Sequence, residues 1–136
     1  ERLIKELNIK DNVFFKKHIS KEEIRRLYST SSVAIVSSLY EGFGYPVIEA
    51  MSCEVPLIAT NVSSIPELVE NYGILIDPKD ENLLSQKIKN VLSNYDEHKK
   101  NAIQGRQHII KTFNWSKITN EYEKTIFKVI ENFREC

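Results

Sequence analysis

Two carboxylates with seven residues between them, Glu41 and Glu49, bound the stretch Glu41-Gly42-Phe43-Gly44-Tyr45-Pro46-Val47-Ile48-Glu49, where this chain carries its most chemically informative residues. Gly42 and Gly44 let a backbone take positive φ or approach a ligand closely, and Pro46 at the opening of a helix wastes no amide. The N–H groups of Val47 and Ile48, with the positive end of the helix dipole, would then face the space before the helix. An anion is the natural guest of such a space. Glu49 sits among Val47, Ile48, Ala50, Met51 and Cys53, an apolar surround in which a bare carboxylate is costly or becomes protonated. A vicinal diol such as a ribose answers that need by offering two donors to one carboxylate. The plainer alternatives are that Glu41 is a solvated charge near a helix N-terminus, that Glu49 stabilises the helix dipole, and that Phe43-Gly44-Tyr45 is only a tight turn.

The elements that must hold these residues are legible on either side. The β-branched run Ser32-Val33-Ala34-Ile35-Val36-Ser37 reads as a strand leading into the loop, and the helix behind the loop runs from Pro46 to about Cys53. Upstream, Leu3, Ile4 and Leu7 predict a short helix over residues 2–8, and Val13-Phe14-Phe15 reads as a strand. Ser20 and Glu23 make a capping box for a helix over 21–30. Downstream, Leu57-Ile58-Ala59-Thr60 and Gly73-Ile74-Leu75-Ile76 predict two more strands, with Ser64 and Glu67 a second capping box between them. Strands alternating with helices at this spacing predict an α/β fold, a Rossmann-like doubly wound parallel sheet with C-terminal helices. In such sheets ligands bind in the crevice outside the carboxyl ends of the strands. From Asp80 onward the periodicity is helical, with Gly105 a weak point, and the last helix carries a continuous stripe from Trp115 to Phe133.

At 136 residues the chain fits one domain, and 19 basic against 19 acidic residues leave no global field to favour nucleic acid or a membrane. Any anion must be held by local geometry. Cys53 and Cys136 have neither metal nor redox spacing, and no stretch approaches a membrane span or a signal peptide. His98 and His108 fall on predicted helices without companion ligands. No zinc site, nucleophilic triad or phosphate-binding Walker loop is present.

Glu41-Gly42-Phe43-Gly44, Pro46 and Glu49 resemble the E-x7-E signature of retaining nucleotide-sugar glycosyltransferases of the GT-B fold. Ordered with them are Asn12-Val13-Phe14-Phe15, Ile19 to Ile24, Val55 to Thr60, Ile65 to Val69, Gly73 to Pro78 and Phe113-Asn114-Trp115-Ser116, so the resemblance covers most of the chain. It implies that residues 1–136 are a single donor-binding domain, lacking the first two strands and the N-terminal acceptor domain of the family. It implies a nucleoside-diphosphate sugar as donor substrate, with no cofactor and no metal. Glu41 then lies beside the transferred sugar as the catalytic-site carboxylate, Glu49 holds the ribose, and Phe43, Gly44, Tyr45 and Val47 contribute backbone to sugar and phosphate. Lys16, Lys17 and His18 fall near the family's nucleobase contacts, although Lys17 stands where a glycine is common. Glu54 likewise replaces the usual glycine after the helix. The basic residues that clamp the diphosphate belong before Glu1, so the fragment alone is expected to be inactive. The intact enzyme is expected to be cytoplasmic, at the inner face of the membrane, acting on an acceptor glycan or lipid in polysaccharide, lipopolysaccharide or glycolipid synthesis. A non-catalytic nucleotide-binding or interaction module and a GT-B sugar-nucleotide epimerase are the alternatives.

Overall fold

The structure, a computed structural model, describes residues 1–134. Three strands form one parallel sheet, β1 (Ala34–Val36), β2 (Leu57–Thr60) and β3 (Ile74–Ile76), in the spatial order of the sequence. Ile35 pairs with Ile58 across the first ladder, and Ala59 with Leu75 across the second. Each crossover carries a helix, α3 (Tyr45–Ser52) and α4 (Ile65–Val69) on the way through the sheet, and α5 (Glu81–Ser93) and α6 (Tyr95–Thr112) after it. Before the sheet come α1 (Arg2–Glu6), a 3₁₀ turn (Lys10–Asn12) and α2 (Lys21–Thr30), and α7 (Trp115–Arg134) ends the described chain.

The pleat of β2 sorts the core into two layers, because successive side chains of a strand point to opposite faces. Leu57 and Ala59 join Val47, Ala50, Met51, Ile65, Leu68, Val69 and Ile109 beneath α3, α4 and α6, while Ile58 joins Ile76 and Val91 beneath α5. Helices therefore cover both faces, as a doubly wound sheet requires. Ile58, Ile65, Val47, Val69 and Val91 are the largest fully buried side chains, each contributing about 1.5–3 kcal/mol of hydrophobic stabilisation.

The ends of α3 show why its sequence folds as it does. Gly44, at φ 94°, caps the helix in the left-handed conformation, and a Cβ there would stand 2.9 Å from Leu68 Cδ1. Pro46 follows within the first turn, where no amide is lost. After Cys53 the chain leaves the helix through Glu54, which takes φ 57° where a glycine is usual. Two cations of α6 compensate: Lys99 Nζ donates to the Glu54 carbonyl at 2.6 Å, and Arg106 Nη1 to its Oε1 at 2.8 Å.

Four expectations are corrected. Val13-Phe14-Phe15 is extended at Val13 but forms no strand; no neighbour pairs with it, and Phe14 and Phe15 are 80% and 68% exposed. Ser64 has helical φ and ψ (−80°, −11°) and does not cap α4, because a side-chain cap needs an extended backbone at that position. Gly105 is no weak point but a close-packed seam of α6, where an added Cβ would meet Tyr72 Cβ at 2.9 Å and Met51 Cε at 3.2 Å. The first helix is shorter than expected, ending at Glu6. The capping residue of α2 is as expected, with Glu23 N donating to Ser20 Oγ at 3.2 Å, although the Glu23 carboxylate turns to Lys16 Nζ at 3.2 Å.

Candidate functional site

The loop between β1 and α3 is tied down by three hydroxyls. Thr60, buried at the carboxyl end of β2, donates from Oγ1 to the Ser38 carbonyl at 2.5 Å, which fixes where the chain leaves β1. Ser38 Oγ in turn donates to Glu41 Oε1 at 2.7 Å, a charge-assisted bond that orients the carboxylate without neutralising it. Ser64, in the loop after β2, lies 3.2 Å from the Glu41 carbonyl oxygen and 3.0 Å from that of Phe43. Aromatic packing adds a fourth tie, since the Phe43 ring meets Tyr45 and Phe113 edge-on with centroids 5.2 Å and 5.7 Å away. Phe113, which follows α6, thereby connects the C-terminal helices to the loop.

The donors available at the start of α3 are not those expected. Val47 N–H bonds the Gly44 carbonyl at 3.0 Å and Ile48 N–H lies 3.4 Å from the same oxygen, so neither is free. The Val47 side chain is wholly buried, which makes this residue part of the core. Among the described residues, the N–H groups of Phe43, Gly44 and Tyr45 donate to no protein acceptor. The set of unpaired amides is thus displaced toward the loop, where φ 94° at Gly44 turns the chain ahead of the helix. Three successive amides at the positive end of a helix dipole can hold an anion.

Glu49 departs from its expected setting. It is exposed, and its carboxylate has no hydrogen bond or ion pair among the described residues, while Val47, Ala50 and Met51 make the buried face. Glu49 lines two cavities of about 310 Å³ and 360 Å³ against α2, the first lined also by Ile24, Tyr28 and Ile35 and the second by Arg25, Tyr28 and Cys53. Tyr28 OH lies 3.5 Å from the Pro46 carbonyl. Burial, the Glu49 carboxylate and Cys53, in that order, hold the Tyr28 phenol above the usual tyrosine value. Glu41 and Glu49 share no hydrogen-bond partner: one belongs to the loop and its hydroxyls, the other to the α2–α3 cleft.

A third cavity, of about 340 Å³, opens at the carboxyl ends of all three strands, lined by Ser37, Thr60, Ile76, Asp77, Asp80 and Leu84. It is the crevice that this topology places beside its ligands. The other residues of interest lie apart from it. Lys16 is paired with Glu23, His18 takes φ 53°, His98 Nε2 is 2.9 Å from Asn90 Oδ1, and the His108 ring rests on Tyr72 at 5.0 Å. No group of three His, Cys, Asp or Glu side chains is placed to hold a metal ion among the described residues. Among these no helix is long and apolar enough to cross a membrane. Ser38, Thr60 and Phe113 are the residues that sequence reasoning missed, and a serine–glutamate spacing of three points equally to a helix cap.

Parallel strands wound in sequence order, helices on both faces and a glycine-bearing loop with unpaired amides at the carboxyl edge define a Rossmann-like α/β domain. The family described as glycosyl transferases group 1 matches residues 1–108, and the chain belongs to it, as a C-terminal domain of the GT-B type. Similar to it is the MMP alpha-(1->4)-mannosyltransferase of Mycolicibacterium hassiacum, 33% identical over 136 aligned positions, covering 95% of this chain and 33% of that protein. Sucrose-phosphate synthase from Thermosynechococcus elongatus is 31% identical with a TM-score of 0.85, covering 96% of this chain and 33% of its own. HepE from Anabaena, crystallised in complex with UDP-glucose, shares the fold at 22% identity and a TM-score of 0.83, covering 93% of this chain and 35% of its own. The chain thus spans about a third of the length of these relatives.

Proposed function

We propose that this chain is the donor-binding domain of a retaining glycosyltransferase that moves a sugar from a nucleoside diphosphate to an acceptor hydroxyl. The observation that carries the reading is the β1–α3 loop, which offers an oriented Glu41 carboxylate and three unpaired amides on a fold of this family. The transition state of such a transfer is oxocarbenium-like with a departing diphosphate, so it needs charge stabilisation at the leaving group and orientation of the partners. The amides of Phe43, Gly44 and Tyr45, with the α3 dipole, supply the first in part. Glu41, held by Ser38, orients the sugar through its hydroxyls. Glu49, unpaired and facing the α2–α3 cleft, accepts the hydroxyls of the ribose. Val47 supports the helix from the core rather than touching donor.

Residues 1–136 make up the donor half, and the acceptor glycan or lipid and the basic diphosphate clamp belong to parts of a GT-B protein outside this stretch. The relatives' span, three times that of the chain, supports this division. The synthesis of a polysaccharide, lipopolysaccharide or glycolipid on the cytoplasmic side of a membrane is the setting proposed for the intact enzyme.

Calorimetric titration of UDP, GDP and ADP into the chain, repeated with Glu49→Ala, tests the reading. Saturable binding of one nucleotide that the substitution abolishes is the expected result. Binding that survives in Glu49→Ala would remove Glu49 from the ribose. No binding of any nucleotide by the folded chain would refute a donor site complete enough to act without the upstream clamp.

A further inference from the structure

We propose that Ser64 is a positioning residue for the donor site: its hydroxyl, set between the Glu41 and Phe43 carbonyls, fixes the peptide planes that carry the Gly42 and Gly44 amides, the second of which meets the donor phosphates. The proposal rests on the reading of the β1–α3 loop as that site. Oγ stands 3.2 Å from one carbonyl oxygen and 3.0 Å from the other, so one proton is shared between two peptides that are not adjacent in sequence. In a trans peptide the N–H lies opposite the C=O. Turning the Glu41 and Phe43 carbonyls toward Ser64 therefore turns the Gly42 and Gly44 amides away from it, and both directions are set by one side chain.

The loop needs such a support. Nothing stands within 4 Å of the place a Cβ on Gly42 would occupy, so that side of the loop is open. Ser64, by contrast, is mounted on rigid structure. Ile65 beside it is wholly buried, its N–H bonds the Val62 carbonyl at 3.1 Å, and Val62 N–H bonds the Thr60 carbonyl at 3.0 Å. The hydroxyl is diverted from the work its position invites, because α4 has no side-chain cap and Ser64 Oγ points across to the neighbouring loop instead. A loop ordered before the ligand arrives loses less conformational freedom on binding.

The test compares Ser64→Ala and Ser64→Thr with the unaltered 136-residue chain by ¹⁵N relaxation and by calorimetry with UDP and GDP. In Ser64→Ala the backbone order parameters of residues 42–45 are expected to fall from about 0.85 to below about 0.6. Affinity for the nucleotide that binds is expected to drop about 5- to 30-fold. Ser64→Thr, which keeps the hydroxyl, is expected to restore both. A purely structural role would instead lower the thermal midpoint and leave the loop of the folded chain as ordered as before. Unchanged order in Ser64→Ala overturns the proposal. A loop that loosens in Ser64→Ala and recovers in Ser64→Thr, with no nucleotide bound by any of the three, supports the hydroxyl's role in ordering the loop and refutes a donor site complete enough to act without the upstream clamp.

Discussion

Tyr28 is the residue whose ionisation reports on the candidate ribose carboxylate. Its phenol is held above the usual value by burial first, then by the Glu49 and Cys53 charges. Because folding raises this pKa, the linked stability is fully present below the unfolded value of about 10 and is lost as pH rises through the folded one. Ultraviolet titration near 295 nm is expected to show a tyrosine step above the usual value, and Glu49→Gln to lower that step without removing it. A step that Glu49→Gln leaves unmoved would show that the carboxylate does not act on the Tyr28 phenol. At this scale the sequence was informative about residue types and less so about their surroundings. Glu41 and Glu49 stood out by spacing, yet Glu49 is exposed in the cleft beside α2, because α3 buries only one side of what reads as an apolar segment all round. The Val47 amide was hidden from the sequence for a related reason: it closes onto Gly44, a turn that depends on φ at one residue.

Among the elements, α6 packs so closely on Tyr72 and α3 that a single methyl group would spoil the contact. At Gly105 the added Cβ would lie 2.9 Å from Tyr72 Cβ, an atom attached to the backbone that no rotamer change can move, whereas Met51 Cε at 3.2 Å is the far end of a flexible side chain. Replacing glycine by alanine raises helix propensity by up to about 1 kcal/mol, and overpacking costs about 1–3 kcal/mol. Overpacking wins, so Gly105→Ala is expected to destabilise the chain by about 1–2 kcal/mol, read as a lower urea midpoint with unchanged slope. A rise in the midpoint would mean that Tyr72 can withdraw. The strands and helices around the loop were legible because their signals are local: a β-branched run, a proline after a glycine, a serine three residues before a glutamate. Where the same signal has two meanings it misled, and Ser64 shows how, since the residues that decide its use are Glu41 and Phe43 in another loop. Val13-Phe14-Phe15 has every local property of a strand and lacks only a neighbour to pair with.

The whole molecule has uncovered faces that its core does not need. No residue from Trp115 to Phe133 is buried, and Trp115, Tyr122 and Phe133 are left largely in solvent. The α7 stripe therefore adds little to the stability of the sheet and its helices. Truncation after Asn114 is expected to shift the thermal midpoint by less than about 2 °C, measured by circular dichroism at 222 nm. A larger loss would place α7 in the cooperative unit. The outer edge of β1 is also open, with Ile35 42% exposed, and unpaired parallel edges favour association. Such faces accord with a stretch that spans about a third of its relatives.

The separate mounting of the two glutamates bears on how a family of this kind diversifies. Glu41 depends on Ser38, and through its loop on Ser64 and Thr60, whereas Glu49 depends on α3 and its neighbours Tyr28 and Cys53. A substitution that reshapes one set leaves the other standing. Under the proposed roles, the seating of the sugar and the grip on the ribose are separately heritable traits, each open to selection while the other is retained.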